Sequence, residues 1–188
     1  GLNKGGGIFI YDATKATIND GGSVINGWVR QIDYFVTPCM FGAYADDTTN
    51  DAPYIQKASD YAANNNKELH FEGRKYVVRK DTFDGGVVQY ILTVYGNNIW
   101  VGQNATVRID HSKLTSTEQR FTSLIKPSRK SSDATAYKKL IDTIDIQGFT
   151  FDGGFDYDVY TDHSNQYDIK KAFFMYGFEV RLSKFIVK

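Results

Sequence analysis

Four aspartates crowd one short stretch of the chain: Asp152, Asp156, Asp158 and Asp162, within DGGFDYDVYTDHSNQYD. Cleavage of a sugar polymer needs paired carboxylates or a metal-assisted base. Carboxyl groups about 5–5.5 Å apart suit a retaining glycosidase, and about 6.5–9.5 Å an inverting one. Tyr157, Tyr160 and Tyr167 are interleaved with the acids and offer faces on which sugar rings can stack. The four aspartates are therefore catalytic candidates, and Tyr157 and Tyr160 are candidates for substrate binding. The competing reading is a solvated turn whose aspartates bond their own backbone. Arg129 and Lys130 stand in a second polar stretch with Lys126, Lys138 and Lys139. They are further substrate-binding candidates, because clustered cations attract an acidic polysaccharide; a solvated loop explains them equally. No catalytic assignment follows from these residues alone.

Other reactive side chains point to structure. His111 and His163 each sit in an Asp-His-Ser triplet, and residues adjacent in sequence do not converge as a triad must. His70 stands between Leu69 and Phe71, as a flanking or surface histidine would. Three scattered histidines lack metal-ligand spacing, so neither a metal site nor a cofactor is expected. Asp46-Asp47 invites calcium, but its place ahead of a helix favours a structural turn. The lone Cys39 excludes an intrachain disulfide and reads as a packing thiol. With 22 basic and 22 acidic residues the net charge is zero, which argues against a nucleic-acid surface. No apolar run is long enough to insert in a membrane.

The elements that must position these groups begin at Phe41. Asn50 reads as an N-cap, Asp51 sits at the positive end of the helix dipole, and Pro53 falls in the first turn. Tyr54, Ile55, Ala58, Tyr61 and Ala62 recur at helical spacing. Asn64-Asn65-Asn66 ends the run, so a helix is predicted over 50–63. Short strands follow on either side of Glu72-Gly73-Arg74. Phe41-Gly42-Ala43, Asp46, Thr49-Asn50-Asp51 and Ile55-Gln56 together resemble the N-terminal cap of the pectate-lyase-like superfamily. Ala45-Asp46-Asp47 stands where Gly-Asp-Gly is usual there, and Asn50 where Asp is usual. The resemblance implies an all-β fold: a right-handed, single-stranded parallel β-helix behind a capping α-helix.

Ahead of the cap, Gly6-Gly7-Ile8-Phe9, Tyr11-Asp12-Ala13, Asp20-Gly21-Gly22-Ser23-Val24-Ile25 and Trp28-Val29-Arg30 resemble a small β neck segment of bacteriophage tail proteins. Residues 1–40 are thus expected as neck and linker, and 41–188 as the cap and first coils. The coils are expected at 69–71 with 76–78, then 90–95, 99–101 and 105–109. A third is expected at 121–126, 140–146 and 149–151, and a fourth at 172–176 and 178–187. Gly96, Gly102, Gly148 and Gly177 are expected to make corners, with a repeat of roughly 25–30 residues. Polar loops at 110–119 and 127–139 interrupt the pattern. A first residue other than Met and the apolar ending Phe185-Ile186-Val187-Lys188 suggest a piece of a longer protein.

The resemblance implies a phage or prophage tailspike, made in the host cytoplasm and carried on the virion. It implies a homotrimer, joined to the tail or baseplate through a preceding N-terminal region. It also implies binding and degradation of bacterial surface polysaccharide, capsule or O-antigen, by hydrolysis or β-elimination. A non-enzymatic receptor-binding protein using the β-helix as a rod is the alternative. A secreted polysaccharide lyase or hydrolase comes third, disfavoured by the neck motif and by the lack of a visible signal peptide. Polygalacturonase signatures and an Arg-rich calcium site are absent, and fold alone does not give a reaction.

Overall fold

The computed structural model describes residues 5–81, 89–95, 97–113, 122–128, 143–153 and 184–187. The chain opens on a small antiparallel sheet, in which β1 (Phe9–Tyr11) and β2 (Val24–Ile25) both pair with β3 (Trp28–Arg30). Asp20 ties its turn. Its carboxylate accepts from the backbone N–H of Gly22 at 2.8 Å, Ser23 at 2.7 Å and Val24 at 3.0 Å, and from the Ser23 hydroxyl. Arg30 is buried beneath this turn. Its Nε donates to Gly22 O at 2.9 Å, its Nη1 to Gly6 O at 2.5 Å, and its guanidinium lies 4.5 Å from the centre of the Phe9 ring. Gly22 has no room for a side chain, because a Cβ there would meet the Phe41 ring at 2.2 Å. The turn of this small sheet therefore seats directly on Phe41, at the end of the 3-10 turn Pro38–Phe41.

From Phe35 onward the strands stack in parallel. One row runs through β4 (Phe35–Val36), β6 (Glu68–His70), the first part of β9 (Asn98–Asp110), the first part of β11 (Thr143–Asp152) and β12 (Lys184–Val187). A second row joins β5 (Asp46–Asn50) and β7 (Lys75–Arg79) to the later part of β9, which pairs in turn with β11. A third pairs β8 (Gln89–Tyr95) with β10 (Thr122–Ser128). This is the parallel β-helix arrangement expected from the sequence. Side chains at matching positions stack in the interior: Val36, Leu69, Trp100 and Ile146 fall in register and are all buried. Phe71 fills the centre, with ring centroids 5.2 Å from Tyr76, 5.3 Å from Trp100 and 4.8 Å from Phe149.

The single α-helix among the described residues, α1 (Ala52–Asn65), precedes β6 as β8 precedes β9 and β10 precedes β11. It therefore takes the place of a strand in the third row and closes the open edge of β8. Ile55, Ala58 and Ala62 are buried beneath it. Gln56 completes the seal. Its Nε2 donates to Thr93 O at 2.7 Å, and its Oε1 accepts from Thr93 N–H at 2.8 Å. One side-chain amide thus satisfies both backbone groups of an edge-strand residue, groups that would otherwise invite further pairing.

Several expectations need correction. The helix spans Ala52–Asn65, and Asn50 lies in β5. Asn50 Oδ1 accepts from Arg79 N–H at 3.0 Å as well as from Ala52 N–H at 3.2 Å, so its amide chiefly extends the ladder to β7. Asp51 is buried, and its carboxylate turns back to accept from Tyr44 N–H at 2.7 Å and Ala45 N–H at 3.1 Å. The segments at 99–101 and 105–109 form one continuous strand, as do the described parts of those at 140–146 and 149–151. The bend within β9 falls on Gln103 and Asn104, both at positive φ, with Gly148 stacked over it. Gly102 has an ordinary φ and is required for close approach, since a Cβ there would lie 2.2 Å from Gly148 O. The repeat is also longer than expected: Leu69 pairs with Trp100, a spacing of 31 residues, and Ile99 with Asp145, a spacing of 46. Gly96, Gly177 and the segment at 172–176 lie outside the described residues.

Candidate functional site

Of the acidic candidates, Asp152 is described. It ends β11, exposed, in register with Arg108. Asp156, Asp158, Asp162, Tyr157, Tyr160, Tyr167, Arg129, Lys130 and His163 lie outside the described residues. Asp46 and Asp47 serve the turn into the cap. Asp46 accepts from Thr48 and Thr49 N–H and from the Thr49 hydroxyl, which together hold its carboxyl far below the usual range. Asp47 pairs with Arg108 at 3.3 Å. Among the described residues, no group of three or more His, Cys, Asp or Glu is placed to hold a metal ion.

His111 is buried rather than set in a solvated turn. Its Nε2 donates to Gly153 O at 2.8 Å, tying the end of β9 to the end of β11. Burial holds its pKa below the ordinary 6.5, while the Gly153 bond and nearby Asp110 oppose that shift. Cys39 is buried beside Tyr76, its Sγ 3.9 Å from the phenol oxygen, and burial pushes its thiol pKa up. A thiol so placed packs and does not attack.

Sequence reasoning missed a different constellation, on the outer face of the first row. Strand side chains alternate between faces. The inward register of Val36, Leu69, Trp100 and Ile146 therefore turns their neighbours Phe35, Glu68, Ile99 and Asp145 outward, also in register. Phe35 stacks on His70 with centroids 4.3 Å apart and planes 16° apart, and His70 Nε2 lies 2.7 Å from Glu68 Oε2. Beside this row a groove of about 530 Å³ is lined by Tyr34, Lys67, Glu68, Asn97, Ile99 and Asp145. Tyr34 is 84% exposed at its rim. Lys67 is anchored there by donating to Asp33 O. Asp145 Oδ1 is enclosed yet has no hydrogen-bond partner. The only signal for this site in the sequence was the alternation around buried positions, and that becomes a shared face only once the register between coils is known.

No protein-family model matches the chain, and no curated protein sequence matches it. Solved structures do. The gp42 tailspike of Acinetobacter phage vb_AbaP_AS12 aligns over 79% of this chain and 25% of its own, at 21% identity, with a TM-score of 0.53. The chain has the fold of a phage tailspike. Pantoea stewartii WceF, described as a glycan biofilm modifying enzyme with a tailspike-like parallel β-helix, aligns over 81% of this chain and 25% of its own, at 17% identity and a TM-score of 0.49. The chain thus spans about a quarter of the length of these two proteins.

Proposed function

We propose that this chain is the cap and first coils of a phage tailspike that binds and degrades bacterial surface polysaccharide, capsule or O-antigen, by hydrolysis or β-elimination. The observation that carries the reading is the union of an antiparallel neck with a helix-capped parallel stack whose fold is that of a solved tailspike. The small sheet acts as the neck, and the β-helix begins earlier than residue 41, with β4 (Phe35–Val36) already in its first row.

The neck supports assembly into a homotrimer. In the isolated chain Ile8 is 73% exposed, Ile10 57% and Trp28 52%. So many large apolar groups on so small a sheet call for a partner surface, and the tailspike resemblance implies three copies around a common axis. In the virion, the chain preceding the neck would join the tail.

The test uses the full-length protein and purified capsule and O-antigen from the bacterium on which the phage grows. Viscosity, reducing ends and ultraviolet absorbance of unsaturated products are followed. Falling viscosity with new reducing ends is expected, and absorbance assigns lyase over hydrolase chemistry. Tight binding without cleavage would replace the depolymerase reading with that of a receptor-binding rod. Neither binding nor cleavage would overturn both.

A further inference from the structure

We propose that the neck sheet carries two unlike contact surfaces, one on each face, and that the aliphatic face of one copy packs on the aromatic face of the next. The proposal rests on the homotrimer reading above and adds to it which surfaces meet. Residues directly opposite each other in an antiparallel ladder share a face, and successive residues alternate. Trp28 pairs with both Tyr11 and Ile25, so these three stand on one face. Tyr11 and Trp28 meet edge to face there, with ring centroids 5.4 Å apart. Ile10 pairs with Val29 and stands on the other face. Gln31 N–H donates to Ile8 O at 2.8 Å, which extends the ladder back from β1 and puts Ile8 on the same side as Ile10.

The chain covers only part of each face. On the aromatic side Arg30 lies buried over Phe9, and on the aliphatic side Val24 is buried. Tyr11, Trp28 and Ile25 remain exposed on the first, Ile8 and Ile10 on the second. Symmetry gives both faces a use. A two-fold dimer is isologous and needs one patch that meets its own copy. A closed ring of three is heterologous, so each subunit must offer two different patches. Two unlike apolar faces, back to back on one three-stranded sheet, meet that requirement. Each copy gives its aliphatic face to one neighbour and its aromatic face to the other. Rings and branched aliphatic chains then interdigitate as the inner faces of a sandwich do. The seat of Gly22 on Phe41 fixes the sheet against the cap, so both faces are held out in constant directions.

The experiment adds a single thiol to each chain of the full-length protein. Chains with Ile10→Cys and chains with Trp28→Cys are expressed apart and also together. The assembled protein is treated with a short bismaleimide, quenched and run on a denaturing gel. Cys39 is buried, so wild type serves as the uncross-linked control. Co-expressed protein is expected to give a covalent pair containing one chain of each kind, and neither variant alone to give a pair. Ile8→Cys with Tyr11→Cys, on the same two faces, repeats the test where the first pair loosens assembly. Pairs formed as readily by one variant alone would mean that like faces meet. No pairs in co-expressed protein of trimeric mass would mean that the faces lie apart or under another segment. Either result overturns the pairing of faces and leaves the homotrimer standing. A wild type of one chain mass at sedimentation equilibrium overturns both.

Discussion

The Gln56 amide donates to one backbone group of Thr93 and accepts from the other, so a single residue of α1 stands in for the missing neighbour of β8. Replacing it with leucine should leave both Thr93 groups unpaired and cost about 2–4 kcal/mol. Urea unfolding should show a lower midpoint at unchanged slope. Asn98 does similar work: its Nδ2 donates to Ser59 Oγ at 3.2 Å, while its Oδ1 accepts from Trp100 Nε1 at 3.1 Å. His111 adds a pH dependence. Its folded pKa lies below its unfolded value, so the stability it provides is present above about pH 6.5 and is lost as pH falls from there. Thermal melts of the wild type should show this loss between pH 7 and pH 5, and His111→Gln should lessen the slope. The sequence exposed these residues unevenly. Ile55-Gln56 was legible as a motif, but its purpose depends on which residue of β8 lies opposite. Asn50 was misread as an N-cap because the same amide serves a cap or a ladder, and only the register with Arg79 decides.

At the scale of elements, the tightest constraint is the stacked corner. Gly102→Ala would drive a methyl to 2.2 Å from Gly148 O, a backbone atom that cannot swing aside. The loss should exceed about 2 kcal/mol. Gly6→Ala, with nothing within 4 Å of the added carbon, should change stability by under about 0.5 kcal/mol. Equal effects of the two substitutions in denaturant titrations would refute the close-packed corner. Truncating Phe71 to alanine should cost about 3–5 kcal/mol, because its ring touches three others across successive coils. The capping helix and the alternation of the strands were legible because each is a local pattern. The continuity of β9 was not, because its bend falls on Gln103 and Asn104, where sequence offers no glycine to announce a left-handed backbone. The repeat length was underestimated because the polar loops stand inside the coils and lengthen them.

At the scale of the molecule, the neck and the β-helix have opposite needs. The stack buries Leu69, Phe71, Tyr76 and Trp100 within one chain, whereas Ile8, Ile10 and Trp28 in and beside the small sheet stand largely in water. Ile10 and Trp28 lie on opposite faces of the small sheet, Ile10 opposite Val29 and Trp28 opposite Tyr11, and Ile8 just precedes it. The paired substitution Ile10→Ser and Trp28→Ser should therefore weaken assembly without unfolding the coils, which circular dichroism would confirm. The acid end of the pH range should act on this region too. Burial raises the Asp20 pKa, but its hydrogen bonds to Ser23, Val24 and Gly22 outweigh that and hold it below the usual value. The stability it gives the neck turn is present above about pH 4 and is lost as pH falls further. The turn at Asp20-Gly21-Gly22 was legible in the sequence; the exposure of Ile8, Ile10 and Trp28 was not, because exposure belongs to the folded chain.

A tailspike subunit that assembles through this neck is expected to be a trimer in solution. Sedimentation equilibrium of the full-length protein tests it most directly. Three times the chain mass is expected at micromolar concentration, falling toward one chain mass in the Ile10→Ser, Trp28→Ser variant. A wild-type protein that stays monomeric across the accessible concentrations would contradict it.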